Sequence, residues 1–280
     1  MYKNTIQYIL FSILISINAI AQNNADKITL LQGQKIKLTS IDTSMLTQMQ
    51  GSNPMDMKTF SNSTTEIEIL DIQKEQIIAT QTLKHIAIDF DGYGQKMTYN
   101  SNDSNKKQDG MMAEQLKNKI NHPDTIYLSF DGKLIDNNNS KDDKKRGGGG
   151  MMRMMNQGGA NLENIFLLIP NDAKEGNGWK KDNSKDDIKT QTIYFIEKIN
   201  NNIVEVSFKK KSKGIMTTKG GPGGELKIDI DNLSDGYIIV DKSTGLVKSY
   251  TEKTQSKSKF NAMGQDISST GTIVSHQTIE

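Results

Sequence analysis

The stretch LSDGYIIVDKSTGLVKSYTEKTQSKSK, residues 233–259, decides how the rest of the chain is read. Two β-rich runs flank the polar turn Lys242-Ser243-Thr244-Gly245, whose glycine can take the positive φ that a short hairpin loop requires. The runs on either side read as further strands of one antiparallel sheet. This is an architectural anchor, and nothing in it is chemical.

Working towards the N-terminus, the same grammar recurs. Thr64 to Ile72 alternates, with Ile67 and Ile69 on one face and Glu66 and Glu68 on the other. Gln76 to Phe90 is a long Ile/Thr-rich run that places Ile86, Ile88 and Phe90 on one face together with Lys84, and Asp91-Gly92 ends it before Gln95–Asn100 returns. Lys27–Leu31 and Gln34–Thr39 give two short runs about Gly33, read as a bulge or a turn. Thr125 to Asp136 reads as a hairpin turning at Asp131-Gly132. Towards the C-terminus, Ile188–Ile199 and Ile203–Lys211 form a hairpin across Asn200-Asn201-Asn202. Glu225–Asp231 is another strand, and 264–279 closes the chain with a last one. Half-polar strands of this kind suit an antiparallel sheet with one wet face.

Two stretches break the period. Met112, Leu116 and Ile120 recur every four residues, which predicts a short amphipathic helix over 110–120. Asn161 to Leu168 predicts a second helix, stopped before Pro170. Gly176 to Trp179 reads as a turn that delivers the only Trp, and a charged loop runs on to Asp187. The expected fold is therefore mainly β, with α+β as the alternative: a large antiparallel, curved sheet with the two short helices on one face.

Composition sets where such a chain lives. A short positive start, an apolar run from Ile6 to Ile20, and Ala19-Ile20-Ala21 make residues 1–21 a signal peptide, with Gln22 as the mature N-terminus. The run is shorter and more polar than the ~20 apolar residues of a membrane span. The formal charge of +2 falls to +1 on cleavage, since Lys3 is the only charged residue removed. Lys and Asp/Glu are well mixed, which argues against a nucleic-acid or anionic-membrane surface. The chain has no Cys, so disulfides, thiolate metal sites and cysteine nucleophiles are excluded. The mature chain, 22–280, reads as one β-rich domain, divisible into halves 22–136 and 160–280 by the Gly/Met-rich loop 137–159.

Three features occur together: Leu168-Ile169-Pro170 before Gly178-Trp179, Tyr194 in a Thr-rich strand, and Asp235-Gly236-Tyr237 running into Asp241–Gly245. In these the chain resembles a group of exported, β-rich bacterial proteins of unknown function. More loosely, it resembles the half-barrel of periplasmic lipoprotein carriers, where helices lid a curved antiparallel sheet. That resemblance implies an apolar ligand cavity only where the concave face is apolar, and it carries over no functional residue.

Candidate chemistry is sparse. His85, His122 and His276 are the only histidines, and no two have the spacing of a zinc pair. No Ser sits in a G-x-S-x-G elbow, and the glycine runs 147–150 and 220–224 lack the Lys and Ser/Thr of a phosphate loop. Asp229/Asp231 and Asp89/Asp91 are explained by alternation on a wet strand face rather than by calcium. The sharpest anomaly is Met151, Met152, Met154 and Met155 between glycines, a set of soft thioethers suited to Cu(I) or, more simply, a sticky tether. No catalytic constellation and no cofactor motif is present. The expectation is an exported, non-enzymatic envelope protein, periplasmic or extracellular, that binds an apolar ligand such as a lipid, or an envelope protein partner. A structural or interaction module without a ligand is the alternative, and Met-based Cu(I) binding a minor one.

Overall fold

Eleven antiparallel strands form one open sheet among the described residues. The structure, a computed structural model, describes residues 27–103, 116–135, 162–185, 187–219, 225–262 and 264–280. The strands are β1 (Lys35–Gln50), β2 (Asn53–Ile72), β3 (Ile77–Gly92), β4 (Gln95–Asn100), β5 (Pro123–Leu128), β6 (Gly178–Lys185), β7 (Asp187–Asn200), β8 (Ile203–Lys219), β9 (Glu225–Asp241), β10 (Val247–Ala262) and β11 (Gln265–Ile279). Their order is β4-β3-β2-β1-β11-β10-β9-β8-β7-β6, with β5 also paired to β3. The first and last long strands thus meet in the middle, Leu38 facing Ile279 and Gln50 facing Ile267. Residues on both sides of 137–159, which lies outside the described residues, share this sheet.

The opening hairpin forms as read. β9 passes into β10 through a turn in which the Asp241 carboxylate accepts from the Ser243 N–H at 2.9 Å, and the Asp241 carbonyl accepts from the Gly245 N–H at 2.8 Å. Gly245 takes φ 73, which an L side chain rarely adopts. The turns at Gly33, Gly132 and Asn201 also have positive φ.

Four expectations are corrected. The helix over 161–168 is replaced by a single 3-10 turn, Leu162–Asn164, followed by extended chain. Ile165 to Ile169 is apolar at every position and so has no wet helical face. It pairs instead with the hairpin turn, the Leu167 N–H donating to the Gly245 carbonyl and the Val247 N–H to the Ile165 carbonyl. Of the helix over 110–120, residues 110–115 lie outside the described residues. The remainder is a short turn that brings Leu116 onto Ile86, Ile88 and Tyr99, and Ile120 onto Leu83. The charged loop after Trp179 is the edge strand β6, where Lys and Asp blunt an open edge rather than mark a loop. Lys84 does not share a face with Ile86: Thr64 faces His85 while Thr65 faces Leu83, so Lys84 is the extra residue of a bulge and stays exposed.

Long strands and a short core define the architecture. The turns at 51–52, 93–94 and Gly264 lie at one end of the strands, the tip; turns 73–76, 201–202 and 242–246 lie at the other, the base. The main core sits at the base, on one face. Ile36, Leu38, Ile67, Ile69, Ile77, Val204, Val206, Ile238, Val240 and Ile279 are buried there beneath Ile28, Leu30, Leu128 and the run Ile165–Ile169. The predicted in/out assignment of Ile67 and Ile69 against Glu66 and Glu68 holds. Fully burying side chains of this size contributes about 1.5–3 kcal/mol each, which is why the lid needs no helix.

Candidate functional site

Strands of 14 to 20 residues run far past a core only a few residues deep, so most of the inner face lies beyond it. Register fixes what that face carries. The row at which the core gives way runs Val206, Ile238 and Tyr250, still part of the core, then Gln277, Ser40, Ser63 and Ile86, from β8 to β3. The next runs Phe208, Gly236, Glu252, Ser275, Asp42, Ser61 and Ile88. The row after that holds Thr192, Lys210, Ser234, Thr254, Ile273, Ser44, Thr59 and Phe90, and the one beyond it Thr190, Ser212, Asn232 and Ser256. Towards the tip the face turns apolar again, with Leu46, Met216, Ile228, Ile230 and Phe260 half-buried and outside both cores.

The belt between the two apolar zones is polar yet buried. Ser40 and Ser63 are fully buried, Thr65 and Gln277 nearly so. Two carboxyl groups stand in it, on β1 and β10 with only β11 between them. Asp42 accepts from the Ser40 hydroxyl at 2.9 Å and from Ser275, but burial outweighs these bonds and pushes its carboxyl above the ordinary range. Glu252 is held differently. Lys210 Nζ donates to Glu252 Oε1 at 2.5 Å, the Tyr250 hydroxyl donates to Oε2, and Thr254 donates to Oε1 at 3.2 Å. Burial alone raises the Glu252 carboxyl; the Lys210 charge and these hydrogen bonds override it and hold the group below its usual value. Burial and the adjacent Glu252 charge hold the Tyr250 phenol well above its usual range. The phenol is therefore a donor and never a base at neutral pH.

Beside this pair runs an aromatic rail. Trp179 stacks on Tyr194 at 4.8 Å between ring centroids, Tyr194 lies 6.2 Å from Phe208, and Phe208 stacks on Tyr250 at 5.5 Å. Gly236 makes room for it, since a Cβ there would lie 2.4 Å from the Phe208 ring and 2.2 Å from the Thr251 carbonyl. A cavity of about 70 Å³ remains beneath the lid, between Asn164, Thr192, Tyr194 and Lys210. That is far smaller than the ~300–1,000 Å³ of a ligand pocket. The base is a filled core. On the outer face a shallow hollow of about 610 Å³ lies over Ile193, Phe195 and Tyr237, but Lys209, Asp235 and Lys253 cross it in one row.

No known protein family matches the chain, and no curated sequence matches it. Two solved structures show a partial likeness in shape. One, described as lipid–protein interactions in lipovitellin, shares 12% identity at a TM-score of 0.48 over 90% of this chain. The chain spans a quarter of that protein's length, 25%. The other, an outer membrane channel from Pseudomonas putida F1, shares 8% identity at a TM-score of 0.24, over 91% of this chain and 98% of that one. The functional reading therefore rests on the geometry of this chain alone.

Among the described residues, those singled out from sequence are not brought together. Met151, Met152, Met154 and Met155 lie outside the described residues, as do 220–224. His85 Nδ1 lies 3.0 Å from the Ser101 hydroxyl, and His276 Nδ1 lies 2.9 Å from that of Thr251. Asp89, Asp91 and Asp229 are exposed on the outer face, where alternation placed them. What sequence reasoning missed is the belt: Asp42 and Glu252 were unremarked. The signal was parity, because continuing Ile36 and Leu38 by twos puts Ser40 and Asp42 on the core face, and Tyr250 carries Glu252 there likewise.

Proposed function

We propose that this is an exported, non-enzymatic binding protein that receives an amphipathic ligand, with an apolar chain such as that of a lipid, along the open inner face of its sheet. One observation carries the reading. Apolar side chains return at the tip of the inner face, half-buried and outside both cores, after a belt that is mainly polar on the central strands β10, β11, β1 and β2. A sheet needing only a core has no use for them. A molecule with an apolar chain and a polar end has a use for both zones. From Asp42 to Gln48 the strand spans six residues, about 20 Å at 3.4 Å per residue, which is the length of a long acyl chain. Export rests on the signal-peptide pattern of residues 1–21. The absence of catalysis rests on the roles found for the buried ionisable groups, which pair with one another or with hydroxyls.

Calorimetric titration with dodecanol tests this. Ile230→Lys and Phe260→Lys on the inner face are expected to weaken binding about 10-fold or more, by the loss of roughly 1.5–3 kcal/mol of apolar contact. Ile193→Lys on the outer face is expected to leave it unchanged. The reverse pattern would move the ligand to the outer hollow, and no binding by the parent protein would favour an interaction module without a ligand.

A further inference from the structure

Lys and Asp/Glu alternate along the chain, but strand pairing sorts them on the outer face. Lys209 and Lys253 flank Asp235 across β9, and two rows nearer the tip Lys213 and Lys257 flank Asp231 in the same way. Lys189 joins the second of these rows from β7. Between the two rows Lys211 faces Leu233, and one row further on Lys259 faces Asp229. With Asp187 counted, these four rows of β7–β10 hold seven lysines against four aspartates, an excess of three positive charges. The same rows carry no charge on β11. Across β1–β4 they hold Lys58 and Lys96 against Asp56, Asp89 and Asp91. The mixing seen in the sequence therefore does not carry over to the surface: one half of the outer face is basic.

These cations are open to a partner. All seven lysines are exposed, and among the described residues only Lys213 forms an ion pair, to Asp231 at 3.9 Å. Large apolar side chains stand among them. Ile193, Leu233 and Ile215 are 52%, 51% and 43% exposed, and Phe195 and Tyr237 share the next row towards the base. Exposed apolar groups interleaved with lysine supply both contributions that hold a protein on an anionic bilayer. The apolar groups enter the headgroup layer, and the lysines meet its phosphates. Nucleic acid would call for aromatic platforms and arginine. Here three of the five apolar residues are aliphatic and every cation is a lysine.

We infer that the outer face of β7–β10 docks on the surface of an anionic lipid bilayer, with Ile193, Leu233 and Ile215 entering the interface. This goes beyond the ligand reading and does not rest on it, because the two surfaces lie on opposite faces of the sheet.

Co-sedimentation with vesicles tests it. The protein is expected to bind phosphatidylglycerol vesicles about 10-fold or more tightly than phosphatidylcholine vesicles, and to lose the preference in about 0.5 M salt. Lys253→Glu with Lys257→Glu should weaken phosphatidylglycerol binding about 10-fold or more. Lys58→Glu with Lys96→Glu makes the same charge change on the other half and should leave binding within about 2-fold of the parent. Leu233→Asn with Ile215→Asn, which keeps every charge, should also weaken it. All variants share one N-terminus, so the apolar run Ile6–Ile20 contributes equally, and circular dichroism checks that each is folded. Equal binding to the two lipids, or equal effects of the two lysine pairs, would overturn the docking face. Tighter binding to single-stranded DNA than to phosphatidylglycerol, untouched by Leu233→Asn with Ile215→Asn, would overturn the lipid partner. Vesicle binding without dodecanol binding would uphold the docking face and contradict the ligand reading; dodecanol binding without vesicle binding would do the reverse.

Discussion

Lys210 and Glu252 stand on β8 and β10, and their side chains meet across β9 at 2.5 Å. The side chain of Glu252 is only 11% exposed and that of Lys210 26%, so this is a pair withdrawn from water rather than a surface contact. Removing one partner of such a pair leaves a charge unpaired. Lys210→Met is expected to cost about 3 kcal/mol of stability, and Lys210→Met with Glu252→Met together to recover most of it. Urea unfolding followed by circular dichroism measures both. A single variant as stable as the parent would show that the pair contributes nothing.

The two belt carboxyls give opposite dependences on pH. Glu252 is held below its usual range by Lys210, so its stabilisation is present at neutral pH and is lost as pH falls through the folded-state value. Asp42 is held above its usual range by burial, so its penalty is absent in acid and grows as pH rises through the ordinary carboxylate range. Glu252→Gln should therefore be less stable than the parent at pH 7 and converge with it in acid. Asp42→Asn should be more stable at pH 7 and converge in acid. Melting curves at pH 7 and pH 3.5 give the comparison; differences of the same sign for the two variants would contradict the assignment.

Gly236 is a position where only glycine fits. A Cβ would meet the Phe208 ring, which can move, and the Thr251 carbonyl, which cannot. Gly236→Ala is expected to destabilise by about 2 kcal/mol, in the range of core overpacking. Phe208→Leu should relieve part of that in the double variant but not all, because the backbone contact remains. Full relief would place the conflict in the ring alone.

On the proposed export, the mature protein is expected to begin at Gln22. Intact-mass measurement of material recovered from the periplasm or medium is expected to lack residues 1–21. Retention of the full mass would contradict export by a cleaved signal peptide.

Much of the sheet was legible in the sequence because alternation and turn glycines are local signals. Ile67 and Ile69 against Glu66 and Glu68, the Asp241–Gly245 turn and the Asn201 hairpin all stand where local chemistry puts them. The misreadings share one cause, the sheet overriding local preference. Lys180, Lys181, Asp182 and Asn183 disfavour a strand, yet they form one because β7 offers a template. Ile165–Ile169 has helix-compatible residues, but the lid position demands burial on every side. Lys84 is turned outward by a bulge whose existence depends on β2. The candidate site was the least legible part. Asp42 and Glu252 look like ordinary strand acids until register puts them on the same face as Leu38 and Ile238.

The central claim is that the inner face beyond the core holds an amphipathic molecule. Native mass spectrometry of the protein purified from the cells that express it, without detergent, tests it most directly. The account predicts an additional mass of a chain-bearing small molecule on the parent protein, lost in Ile230→Lys with Phe260→Lys and kept in Ile193→Lys. A bare parent mass that stays bare after incubation with dodecylamine and dodecanol would contradict it.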